Sequence, residues 1–61
     1  MKEIIKKDNV AVIINKQDNY IWANLYVNIR DGIDKADITP VRWEGKTMAG
    51  ARRWAARQLD R

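Results

Sequence analysis

A chain of 61 residues with no Cys, His or Ser and a formal charge of +4 is one small domain. It has no disulfide, no thiolate or imidazole metal site and no histidine-dependent nucleophile or acid–base pair, so neither enzymatic activity nor a cofactor or metal is expected. No apolar run approaches the roughly 20 residues of a membrane span, and the apolar part of the first residues is too short for a signal peptide. The expected location is the cytoplasm of a bacterial or phage-infected cell.

Residues 1–9 place Ile4-Ile5 between charged side chains and end in Asp8-Asn9. They read as a frayed leader, or as a short extra strand closed by a tight turn. Lys7-Asp8-Asn9-Val10 and Gln17-Asp18-Asn19-Tyr20 echo one another faintly, which favours the strand. Residues 10–15 are compact and β-branched, a strand. Residues 16–19 form a turn in which Asp18-Asn19 tolerates left-handed backbone.

The stretch from Tyr20 to Arg30 alternates. Ile21, Ala23, Leu25, Val27 and Ile29 form one face of a strand, and Tyr20, Trp22, Asn24, Tyr26, Asn28 and Arg30 form the other. The aliphatic face belongs to a core, and the aromatic and polar face points outward. A loop broken by Gly32 follows, then a third strand over residues 38–43. Pro40 lacks an N–H and puts this strand at a sheet edge. Residues 44–46 read as a turn and Thr47 as an N-cap, without a capping-box partner because Gly50 holds that place. Residues 48–60 read as a helix with Met48, Ala51, Ala55 and Leu59 on one face. Trp54 lies at its flank, and Gly50 suggests close approach to a neighbour. Arg53, Arg57 and Arg61 form a stripe on the opposite face.

The fold expected is α+β: a three-stranded antiparallel meander, β-β-β-α, with the C-terminal helix on one face. One helix cannot cover both faces of such a sheet. The core face would gather Val10, Val12, Ile14, Ile21, Ala23, Leu25, Val27, Ile29, Val41 and Trp43. The aromatic face would stay exposed, and exposed patches of this kind mark interactions.

Charge adds to this expectation. Residues 1–41 hold six basic and six acidic side chains, whereas residues 42–61 hold six basic and two acidic. That asymmetry suits an anionic partner. The candidate nucleic-acid-binding residues are Tyr20, Trp22, Asn24, Tyr26, Asn28, Arg30, Arg42 and Lys46, with Asn15 a further candidate on the first of the three strands. Amides and guanidinium groups read base edges, and aromatics pack on sugars, methyls or bases. The stripe Arg53, Arg57 and Arg61 is a secondary basic feature that serves equally well as a solvated helix back. Two other patterns carry no chemistry. Gly45-Lys46-Thr47 lacks the upstream glycine of a phosphate-binding loop, with Pro40 in its place. Asp31, Asp34 and Asp37, three apart, do not have calcium-loop spacing.

With Tyr-x-Trp at Tyr20 and Trp22, Asn28-Ile29-Arg30, and an Ala-rich helix at residues 51–56, residues 10–60 resemble two families at the level of topology. These are the AP2-type plant DNA-binding domain and the amino-terminal arm-binding domain of phage and transposon tyrosine integrases. The expected function is that of a small mobile-element-type DNA-binding module with duplex DNA as the favoured partner; the resemblance implies that the sheet lies in the major groove with the helix behind it. The alternative expectation is a protein-interaction module using the same face, either a phage-type regulator of a host protein or a homodimer.

Overall fold

The computed structural model describes residues 1–60. Four strands precede one helix: β1 Lys2–Lys7, β2 Val10–Gln17, β3 Tyr20–Val27, β4 Asp37–Gly45 and α1 Met48–Leu59. The strands form one antiparallel sheet in the order β1-β2-β3-β4. The class is α+β as expected, but the sheet has four strands and not three. The added strand is the amino-terminal segment. Adjacent Ile4 and Ile5 show no alternation of their own, yet pairing with β2 gives each a partner on opposite faces, Ile4 with Ile13 and Ile5 with Val12.

The echo of Asp-Asn pairs has a structural basis. Lys7 pairs with Val10 and Gln17 with Tyr20, so each Asp-Asn forms a two-residue hairpin loop. Asp8 and Asp18 take φ of 55° and 57°, a region that Asp enters more readily than most residues.

The core lies between one sheet face and α1. Val12, Ile14, Ile21 and Ala23 pack with Ala51, Trp54, Ala55 and Leu59, and Ile5, Val10, Leu25, Trp43 and Met48 close its rim. Trp54 is buried in this cluster and not left at the flank. Ala51 and Ala55 are fully buried and present only methyl groups, so the helix backbone can sit close to the sheet. Thr47 caps α1 as expected, its hydroxyl oxygen accepting the Gly50 N–H at 3.1 Å.

Two glycines frame Trp43. A Cβ on Gly45 would lie 2.6 Å from the Trp43 Cζ2, and one on Gly50 would lie 3.1 Å from the same atom. The indole thus occupies the space left by two missing side chains. This is the close approach expected at Gly50, with a second instance at Gly45. That residue ends β4 and is not part of a turn.

β4 is irregular where Pro40 lies. Its pairing with β3 jumps from Asn24–Arg42 to Tyr26–Ile38, so β4 carries two extra residues. Pro40 offers no ladder donor, and the Val41 N–H is taken by the Thr39 hydroxyl at 3.2 Å. This bulge turns Val41 out of the expected core, leaving it exposed. Val27 and Ile29 are only half-buried.

Candidate nucleic-acid interface

The register places the uncovered sheet face in three rows. The first runs Lys2, Asn15, Trp22, Glu44; the second Ile4, Ile13, Asn24, Arg42; the third Lys6, Ala11, Tyr26, Ile38. Directly paired residues in an antiparallel sheet share a face, so these twelve side chains lie opposite the helix. Tyr20 continues the same side of β3 beyond the first row and stacks on Trp22, with ring centroids 5.3 Å apart and planes 25° from parallel. Ala11 and Ile13 are buried although no helix covers this side. They sit at inner positions of their rows, Ala11 between Lys6 and Tyr26 and Ile13 between Ile4 and Asn24. Ile4 and Ile38, at the two margins, stay 45% and 59% exposed.

The outward parity therefore holds for Tyr20, Trp22, Asn24 and Tyr26, with Asn15 and Arg42 beside them. It fails for Asn28 and Arg30. β3 ends at Val27, Asn28 is left-handed at φ 60° and ψ 47°, and Ile29–Asp31 is a 3-10 turn. Asn tolerates the left-handed region, so the alternation breaks there although the sequence pattern continues. The Asn28 side-chain amide donates to Asp37 at 2.7 Å, tying the start of β4 to the end of β3. Arg30 is exposed in the turn, off the strand face.

Arg42 is held in a network that the sequence did not reveal. Its Nε donates to Glu44 Oε2 at 3.0 Å and an Nη to the Tyr20 hydroxyl at 3.4 Å, while that hydroxyl donates to the other Glu44 oxygen. Glu44 reads as a turn residue beside Gly45, but as part of β4 it lies directly opposite Trp22. The Tyr20 hydroxyl, and then Arg42, hold the Glu44 carboxyl below its ordinary range. The Arg42 pKa is raised by Tyr20 and then by Glu44. Arg42 thus reaches the face with its charge largely offset.

Other cations lie on the open face, at the helix start and on the helix. Lys2 and Lys6 stand at the β1 end of the first and third rows. Lys46 is exposed between β4 and α1, and Arg53 and Arg57 are exposed on the helix; Arg61 lies outside the described residues. Arg52, adjacent to the predicted stripe, makes a two-pronged contact across the helix side with Glu3 at 3.0 and 2.8 Å. That contact keeps the Glu3 carboxyl below its usual value, first through the hydrogen bond. Among the described residues there is no pocket and no cluster of His, Cys, Asp or Glu placed to hold a metal ion. No helix among them is long and apolar enough to cross a membrane. The candidate site is therefore a surface, built of π faces, amides and flanking charge.

No family model, curated protein or solved structure matches the chain.

Proposed function

We propose that this protein is a nucleic-acid-binding module that receives a single strand on its open sheet face. The observation that supports this most is the stacked Tyr20–Trp22 pair, followed on the same side of β3 by Asn24 and Tyr26. Base stacking on aromatic side chains contributes about 1–3 kcal/mol per base and needs no particular sequence. Asn24 and Asn15 supply donors and acceptors beside those rings for base edges.

The width of the sheet favours a single strand over the duplex DNA expected from the sequence. Four strands at about 4.8 Å spacing span about 14 Å between the outer backbones, before side chains are counted. The major groove is about 12 Å wide and accepts a two-stranded ribbon. A splayed single strand lies across a four-stranded face without that restriction.

Fluorescence anisotropy with labelled single-stranded and duplex oligonucleotides, each at two salt concentrations, tests the proposal. The single strand should bind more tightly, more weakly at high salt, and Trp22→Ala should cost about 5- to 150-fold in affinity, the equivalent of 1–3 kcal/mol for one stacked base. Equal affinity of Trp22→Ala and wild type would refute it, provided both are folded by circular dichroism.

A second reading has its own support. Ile4 and Ile38 are exposed at opposite margins of the face and Arg42 is paired with Glu44, a combination suited to a protein partner or another copy of the chain. Concentration-dependent association in sedimentation, abolished by Trp22→Ala without nucleic acid, would favour that reading.

A further inference from the structure

We infer that the phosphate backbone of the bound strand runs along β1, over Lys2 and Lys6, while its bases reach across β2 onto Trp22 and Tyr26. This path rests on the nucleic-acid reading above and adds two residues that sequence reasoning did not single out. β1 and β3 are both antiparallel to β2 and so run in the same direction. Lys2 shares a row with Trp22, and Lys6 shares a row with Tyr26. Each pair is separated by two strand spacings, about 9.5 Å, and the two rows are about 13 Å apart along the strands. The face thus repeats one unit twice, a cation at the margin and an aromatic ring further in. Between the units, Asn24 lies in the middle row with Ile4 and Ile13.

Charge sets the side on which the backbone lies. At the β4 margin of the first row the Glu44 carboxylate is fixed by Tyr20 and Arg42, where it would repel a phosphate. At the β1 margin Lys2 and Lys6 are exposed, and the salt bridges among the described residues engage Arg42 and Arg52 instead. Glu3, the one acid on β1, alternates to the helix side and is bound there by Arg52. A phosphate on the open face over β1 therefore meets two ammonium groups and no competing carboxylate from the same strand. Arg53 and Arg57 are carried by the helix, behind the sheet.

The test uses the full chain and a labelled oligothymidylate, with the slope of log affinity against log salt as readout. Wild type, Lys2→Gln/Lys6→Gln, Arg53→Gln/Arg57→Gln and Trp22→Ala are compared. Two lost phosphate contacts on a single strand should flatten the slope by about 1.4, at roughly 0.7 per contact, in the lysine variant only. If Trp22→Ala weakens binding but the lysine variant keeps the wild-type slope, the path is wrong and the nucleic-acid reading stands. If the wild type does not bind, or Trp22→Ala is without effect, that reading falls and this path falls with it.

Discussion

Replacing Gly45 with alanine tests the contact between the end of β4 and the indole of Trp43. The backbone at Gly45 lies outside the left-handed region, and the obstacle is the ring itself, whose Cζ2 and Cζ3 atoms would lie 2.6 and 3.2 Å from the new methyl carbon. Trp43 must move, although its ring is packed at the rim of the core. Overpacking of this kind costs about 1–3 kcal/mol. The reduced freedom of the unfolded chain returns about 0.4–1 kcal/mol. The balance is a loss of about 1.3 kcal/mol. For 61 residues the unfolding entropy is about 0.13 kcal/mol per kelvin, so the melting temperature should fall by about 10 °C. Thermal denaturation followed by circular dichroism measures this directly. Trp43→Phe shortens the ring while keeping an aromatic anchor, and in that background Gly45→Ala should cost much less. A Gly45→Ala variant as stable as wild type, or one equally damaging when combined with Trp43→Phe, would refute the steric reasoning.

The two sheet faces should respond differently to the same truncation. Ile14→Ala, at a fully buried core position, should cost about 2–5 kcal/mol in urea denaturation, enough to unfold much of so small a domain. Ile4→Ala, at a 45% exposed position on the open face, should cost well under half of that; equal losses would mean that the faces are misassigned. Thr47→Ala removes the hydroxyl that accepts the Gly50 N–H and should lower stability by about 1 kcal/mol, with Thr47→Ser restoring most of it in the same assay. The carboxyls of Glu3 and Glu44 are held below their ordinary value of 4.5 by the Arg52 hydrogen bond and by Tyr20 with Arg42, respectively. Their contribution is therefore complete above that value and is lost as pH falls through the lower folded-state values. Melting temperature should decline in that acid range, and less steeply for Glu3→Gln/Glu44→Gln; identical pH profiles would contradict this.

β3 was the most legible part of the sequence, because Tyr20 to Val27 alternates between aliphatic and polar or aromatic side chains. The same pattern misled at its end. Asn28 continues the alternation in letters, but its backbone turns left-handed, and Arg30 follows it off the strand. β1 was only half legible, since its two isoleucines are adjacent and its signal lay in the Asp8-Asn9 turn. Glu44 and Gly45 carry turn-like composition, yet both belong to β4. Gly45 is there because of Trp43, a contact that no local pattern encodes. The pairing of Arg42 with Glu44 was similarly hidden. Two residues apart on one strand they share a face, but their joint hold on Tyr20 depends on the neighbouring strand. Lys2 and Lys6 could have been found from their shared parity once residues 2–7 were taken as a strand.

The unbroken order of the sheet also bears on how quickly the protein assembles. Every ladder joins strands consecutive in the chain, and two of the three links contain only Asp and Asn. Hairpins of this kind close in about 1–10 μs. The side-chain hydrogen bond that spans most sequence is made by α1, where Arg52 meets Glu3 across 49 positions of chain. Every ladder of the sheet can therefore close without α1, and it is the docking of α1 that covers the aliphatic side of the sheet.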